Sequence, residues 1–218
     1  MRAAKLNAVG WTAVFALSLG GLASAQTATT GHWTVDSAET VGAGNNVVRG
    51  QVGFPGLWAD IIHGVDPTLE IGGRLQLNYG VEGLTDATHF EMALNFLLRK
   101  QFVDNGKFKF AGTFNPGILF YTAFSTTTFG ITFPVEGQFG IPIDPKVTLN
   151  ASFGLPMWVT FGSASAFYLP IMFGGGVEYL LEPHIAVTGK VKVGPTFITN
   201  GGGTQFTLYV LAGVAYKF

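Results

Sequence analysis

Eleven charged residues of this chain lie on strand-like stretches and share one face of them: Arg49, Asp60, Glu70, Arg74, Glu91, Arg99, Lys109, Glu136, Glu178, Lys190 and Lys192. Acids and bases turned into one enclosed space have the makings of a proton relay, an ion path or a catalytic group, because each needs titratable groups held together away from bulk water. The plainer reading is structural. Buried charges persist only when paired and hydrogen-bonded, so such a set can fill an interior by neutralising itself, with Glu178 and Lys190 as a natural pair across one hairpin. Nucleophilic chemistry is poorly served: of the four histidines only His89 approaches a strand's outer end, with Glu91 two residues on, and no serine is placed to be its nucleophile. Cysteine is absent, which removes disulfides and thiolate metal sites, and neither a metal site nor a cofactor is expected.

Proline is the other unusual feature. Pro116, Pro134, Pro156, Pro170 and Pro195 fall inside five successive strand-like stretches, each three to seven residues from the stretch's outer end, which sets them in a belt. Proline lacks the N–H that a ladder needs, so a row of them either marks bulges and bends or weakens the wall between neighbouring strands. The second reading makes the belt a lateral portal for a small apolar molecule, next to a lumen that includes Leu119, Tyr121, Trp158, Tyr168 and Met172.

The elements that must position these residues are strands. Residues 204–218 put Thr204, Phe206, Leu208, Val210, Ala212, Val214, Tyr216 and Phe218 on one face, and Gln205, Thr207, Tyr209 and Lys217 on the other. This two-residue period is long enough to cross a bilayer at a tilt. It recurs over 185–197, 167–181, 146–161, 129–141, 108–122, 90–102 and 69–79, and more weakly over Val47–Phe54 and Leu57–Gly64, which makes ten strands, or eight if the weak pair is discounted. Every second connection is short and carries an acid followed by Pro or Asn: Asp66-Pro67, Asp104-Asn105, Asp144-Pro145 and Glu182-Pro183. These are hairpin turns. With them inside, both termini lie inside, which requires an even strand count.

The surroundings of these strands follow from composition. Residues 1–25 combine Arg2 and Lys5, an apolar stretch from Trp11 to Leu19 and the small-residue site Ala23-Ser24-Ala25, so they are expected to be a secretory signal cleaved after Ala25. Its loss leaves 10 basic against 13 acidic residues, a net charge of −3, and nothing that suits nucleic acid. Charged residues make up 11% of the chain, well below the roughly 25% of soluble domains, so a medium other than water is expected around it. No later window is long and apolar enough for a spanning helix, which leaves strands as the way to cross. Aromatic residues collect toward both ends of the outward face. Tyr79, Phe90, Phe120, Phe129, Phe161, Phe167 and Phe206 lie at one end, and Phe102, Phe108, Phe139, Tyr179, Tyr216 and Phe218 at the other, as two girdles would. Residues 26–41 read as a polar periplasmic lead and 42–218 as the barrel.

With its signal segment, alternating strands, short inner turns and closing Tyr216-Lys217-Phe218, the chain resembles the small outer-membrane β-barrel proteins of bacteria over about residues 40–218. The resemblance implies an all-β, antiparallel up-and-down transmembrane barrel in the outer membrane. It also implies contact with membrane lipid, and insertion by the assembly machinery that reads the aromatic C-terminal strand at Tyr216 and Phe218. It is specific for architecture, not activity. A structural or passive-transport role is expected, with the lumen closed by paired charges. The alternatives are a portal barrel for apolar molecules or lipids, a lipid-modifying enzyme such as the lipid A acylases and deacylases of similar architecture, and a soluble secreted lipocalin-like barrel. The last would have to fill its interior with Phe from almost every strand.

Overall fold

The structure, a computed structural model, describes residues 32–80, 82–85, 90–123, 126–162, 165–199 and 202–218. The expected signal segment with its cleavage site, His89 and half of the connection from Val81 to Thr88 lie outside the described residues. Twelve strand segments follow one another: β1 (Asn46–Phe54), β2 (Gly56–Asp66), β3 (Leu69–Asn78), β4 (Phe90–Asp104), β5 (Lys109–Phe114), β6 (Gly117–Ala123), β7 (Thr126–Pro142), β8 (Val147–Phe161), β9 (Phe167–Pro170), β10 (Met172–Glu182), β11 (Ile185–Ile198) and β12 (Gly203–Lys217). The stretches expected over 108–122 and 167–181 are each divided, at Asn115-Pro116 and at Ile171, because proline cannot hold both ladder bonds. Since β5 with β6 and β9 with β10 each continue one line of the wall, the barrel has ten staves, all antiparallel.

The two weakest stretches by sequence are fully formed. β1 pairs with β2 from Asn46↔His63 to Val52↔Leu57, and with β12 from Val47↔Lys217 to Phe54↔Val210. That second pairing closes the sheet on itself, so no strand edge is left facing outward; in a hydrocarbon medium an unpaired edge would cost several kcal/mol per group. Asn46 and Phe218 complete the closure by exchanging backbone bonds of 3.0 and 2.8 Å. The inner turns hold as their acids dictate: Asp66 Oδ1 accepts the Thr68 N–H at 2.6 Å, Asp104 Oδ1 that of Gly106 at 2.9 Å, and Asp144 Oδ1 that of Lys146 at 2.6 Å.

Along every long strand the alternation separates two worlds. Val48, Val52, Leu57, Ile61, Leu94, Phe96, Ile131, Leu149, Phe153, Phe173, Val210 and Val214 are all exposed on the outer surface. Aromatic rings join across strands at both ends of that surface. Phe129 lies 5.3 Å from Phe120 and 5.8 Å from Phe161, while Phe102, Phe110, Phe139 and Phe108 form a chain with centroids 6.0, 5.0 and 5.7 Å apart. Lys100 and His63, whose parity also points outward, lie toward the turn end: Lys100 Nζ donates to Thr68 Oγ1 at 2.7 Å and His63 Nδ1 lies 2.9 Å from Asn46 Oδ1.

Residues 32–41 do not trail outside as a lead. Trp33, Thr34, Val35, Ser37, Ala38 and Val41 are buried, and Trp33, Val35 and Val41 cluster with Val47, Ile62, Leu97, Leu180 and Ala215 at the turn end of the interior. The segment enters the barrel because it carries the carboxylates and carbonyls that the interior cations need, and the apolar side chains of Trp33, Val35 and Val41 besides. It leaves through a tight contact in which Gly44 N donates to the Gly64 carbonyl at 2.7 Å and Gly64 N to that of Asn45 at 2.9 Å. A Cβ on Gly64 would sit 1.9 Å from the Gly42 carbonyl oxygen, whereas one on Gly50 meets nothing within 4 Å. Gly64→Val should therefore lower the free energy of unfolding by about 1–3 kcal/mol, while Gly50→Ala changes it by less than about 0.5 kcal/mol. Urea titration of the folded protein in liposomes, followed by tryptophan emission, measures both.

Candidate functional site

Alternation along the strands places all eleven charged residues singled out above in the lumen, eight of them buried and Arg74, Glu136 and Lys192 nearly so. They are not simply paired with one another. At the turn end the N-terminal segment is the common partner. Glu178 accepts the Val35 and Asp36 N–H groups at 2.8 and 2.9 Å, and Glu70 accepts the Val41 N–H at 3.0 Å. Arg99 Nη1 donates to the Ser37 carbonyl at 2.6 Å and Nη2 to that of Thr34 at 2.8 Å, with Glu70 also 2.8 Å from Nη2. Asp36 takes Arg49 at 2.6 Å and Lys190 at 2.7 Å, with Gln51 Nε2 donating at 3.0 Å. Glu39 takes Lys109 at 2.7 Å and is bonded to His32, whose other ring nitrogen lies 3.1 Å from Thr148 Oγ1.

The expected pair of Glu178 with Lys190 does not form. In the register of β10 with β11, Glu178 stands opposite Thr188 and Lys190 opposite Gly176, so the two are diagonal neighbours. The plug offers each something better placed, two backbone N–H groups for the acid and the Asp36 carboxylate for the base. Farther in, Asp60 is shared by Arg49 and by Arg74, whose Nε donates at 2.7 Å, and Glu136 pairs with Lys192. The Trp58 ring lies under both Arg74 and Lys190, with the charged groups 4.8 and 5.3 Å from its centroid.

The residues that sequence reasoning missed are those of the plug and of the opposite end. Their trace was a charge imbalance. The eleven include six cations, Arg49, Arg74, Arg99, Lys109, Lys190 and Lys192, against five acids, of which Glu91 sits on its own near the outer rim. Closing a dry interior required more carboxylate, and Asp36 and Glu39 supply it. Burial works to raise both carboxyls. Arg49 and Lys190 nevertheless hold Asp36 well below the usual carboxylate range, and hydrogen bonds from His32 and Lys109 hold Glu39 below its ordinary value.

The outer end is closed differently. After β3 the chain turns inward and reaches across to β12: Leu208 N donates to the Gly83 carbonyl at 3.0 Å and Thr85 N to that of Phe206 at 3.2 Å. Leu84 is thereby buried against Ala93, Leu119, Tyr121 and Trp158. Glu82, a non-glycine residue at φ 44°, is held in the left-handed region by Tyr209, whose hydroxyl donates to its carbonyl at 2.9 Å, and by Glu91, which accepts its N–H at 2.7 Å. Among the described residues neither Glu82 nor Glu91 has a cation in salt-bridge range. Burial pushes Glu82 up to about 7, against the opposing influence of Tyr209 and Arg74. Between plug and loop remains a cavity of ≈ 100 Å³, bounded by Val35 and Asp36 on one side and Glu82 on the other.

The other candidate groups are apart from this interior. His184 is exposed in the last inner turn, and among the described residues no cluster of three His, Cys, Asp or Glu is placed to hold a metal. Tyr216 and Phe218 are exposed on the outer face, stacked 6.3 Å apart.

No protein-family model matches this chain, and no curated protein does. Similarity to solved structures is remote. A bacterial polysaccharide outer membrane secretin aligns at 11% identity over 79% of this chain and 57% of that one, with a TM-score of 0.43. The KdgM porin in complex with disordered oligogalacturonate aligns at 11% identity over 80% and 99%, with a TM-score of 0.36. Ail, the attachment invasion locus protein of Yersinia pestis, aligns at 9% identity over 81% and 99%, with a TM-score of 0.28. The chain thus spans 57% of the length of the secretin.

Two consequences of these charges can be measured. Arg49→Met leaves Asp36 and Asp60 facing each other without their shared cation and should lower stability by about 3–5 kcal/mol in urea titration. The two ends also respond oppositely to pH. Asp36 and Glu39, depressed in the folded state, stabilise plug docking fully above the ordinary carboxylate range, and that stability is lost as pH falls below about 4. Glu82, raised in the folded state, favours the docked loop most at low pH and loses that advantage as pH rises from 4.5 to about 7. Hydrogen-exchange protection factors of the Thr85 and Leu208 amides should therefore fall across that upper range.

Proposed function

We propose that this protein is an integral barrel of the bacterial outer membrane with a structural or passive-transport role, its lumen shut in this conformation by its own N-terminal segment and outer loop. The observation that carries the reading is the inverted distribution of side chains. The outer surface presents Val, Leu, Ile and Phe from every long strand, and the turn-side half of the interior is filled with hydrogen-bonded charges. A barrel in water needs the reverse, because an exposed apolar surface of this extent would aggregate. In a bilayer the arrangement is the stable one: apolar side chains meet lipid, and the backbone groups of the wall, the proline positions apart, are paired in a ladder that closes on itself. The aromatic rows at the two ends of the surface suit the two interfaces, and the short turns with the chain termini suit the periplasmic side. Tyr216 and Phe218, exposed at the closing strand, fit recognition by the assembly machinery.

Closure follows from the charges. Each cation lining the turn end is bound to a carboxylate or carbonyl of the plug or to a strand neighbour, so an ion entering would have to break pairs that have no water to replace them. The mature protein should migrate differently on gels before and after boiling, as a closed membrane barrel resists detergent. In planar bilayers it should show no steady conductance. Removal of residues 26–44 should give discrete conductance steps. A variant that remains heat-modifiable but stays silent would sink the plugged-pore reading and leave the purely structural one.

A further inference from the structure

The five wall prolines differ in what they take from the ladder. Opposite Pro116, Phe96 still donates its N–H to the Pro116 carbonyl at 2.8 Å. Asn115 N donates to the Pro134 carbonyl at 3.0 Å, and the Asn115 carbonyl that Pro134 cannot serve accepts Asn95 Nδ2 at 3.1 Å. Ile171 N donates to the Pro195 carbonyl at 2.9 Å. Each of these three positions keeps one of the two bonds that a facing pair makes, so the belt as a whole is not open.

Pro156 and Pro170 keep neither. β8 meets β10 at Gly154↔Met172 and β9 at Trp158↔Tyr168, a register that sets Pro156 opposite Pro170. Pro134, the partner of Pro156 across β7, turns its backbone groups toward Asn115, and Ile171 turns its own toward β11. Alternation along each strand therefore aims the backbone edges of Pro156 and Pro170 at each other, the position where two bonds would be exchanged. With no N–H on either residue, none can form. The seam is bare from Gly154 to Trp158, about 13 Å of wall at roughly 3.3 Å per residue.

What lies behind the seam is suited to a guest. Pro156 and Met172 line the internal cavity. Trp158, immediately beyond the gap, is fully buried and stacked on Tyr168 at 4.6 Å, and its Nε1–H has no hydrogen-bond partner. A buried donor left without an acceptor is destabilising, and a guest's oxygen would recover that loss. On the lipid side, by strand alternation, Leu155, Met157, Leu169 and Ile171 cover the gap, with the Phe133 and Phe167 rings stacked 6.1 Å apart beside it.

We propose that the gap between Pro156 and Pro170 is a lateral portal, through which the polar end of a single-chain amphiphile enters from the membrane and receives the Trp158 Nε1–H while its tail remains in lipid. The proposal rests on the membrane reading above. The ligand class is one slim apolar chain ending in a hydroxyl or carbonyl oxygen, whether released from a membrane lipid or taken from outside.

The test uses the full mature chain in liposomes, after heat-modifiability has established insertion. The probes are 1-bromododecan-2-ol, whose bromine quenches indole beside the acceptor oxygen, and 1-bromododecane, which lacks that oxygen. The bromoalcohol should quench emission in a slow phase that is absent with bromododecane and absent after Trp158→Phe. Met157 and Leu169 face each other across the seam, so Met157→Cys with Leu169→Cys places a staple there in a chain otherwise free of cysteine. Oxidation should abolish the slow phase, and reduction of the same sample should restore it. Pro156→Ala, which returns an N–H aimed at the Pro170 carbonyl, should slow entry about two- to tenfold. An unchanged rate in the oxidised, inserted barrel, or no slow phase in the reduced one, overturns the portal alone. A chain that never inserts overturns the membrane reading and the portal with it.

Discussion

Six cations from β1, β3, β4, β5 and β11 are buried or nearly so inside this barrel, and the strands alone do not bring enough carboxylate to meet them. The deficit is made good by the N-terminal segment. Asp36 stands between Arg49 and Lys190, Glu39 between His32 and Lys109, and the bent backbone of residues 34–41 gives its carbonyls to Arg99 and its N–H groups to Glu178 and Glu70. Because a buried charge without a partner costs several kcal/mol, the plug and the wall each need the other. The position of Trp33, the closure at Asn46 and Phe218, and the route of the chain past Gly64 all follow from that docking.

The two halves of the lumen use different physics. The turn-side half is an ionic network in which nearly every donor and acceptor is shared. The outer half is built around an apolar cluster of Leu84, Leu119, Trp158 and Tyr168, with the buried hydroxyls of Thr160, Thr196 and Thr207 and the Glu82–Glu91 pair around it. The proline row lies where the two halves meet. At three of its positions a remaining carbonyl or the Asn95 side chain repairs the ladder; at Pro156 and Pro170 nothing does, and the wall there is held by side-chain packing alone.

Much of this was legible along the chain. Ten staves, the parity of the eleven lumen charges and the acid-capped turns at Asp66, Asp104 and Asp144 all follow from local rules. A period of two assigns faces without knowledge of partners, and Asp followed by Pro or Asn caps its own backbone. The partners themselves were not legible. Glu178 and Lys190 are close in sequence, of opposite sign and on the same face, yet each binds the segment some 140 or more residues upstream. A polar stretch before the first strand reads as solvent-borne until the charge imbalance it corrects is counted.

The prolines show the same division most clearly. Sequence by itself determined that five donors would be missing from five neighbouring strands, since proline has no N–H wherever it sits. Only the tertiary structure decided which of those losses matter, because that depends on register. One proline facing a residue with an N–H leaves a bond in place, while two prolines facing each other leave none, and which residues face is set by the closure of the whole barrel rather than by any one strand.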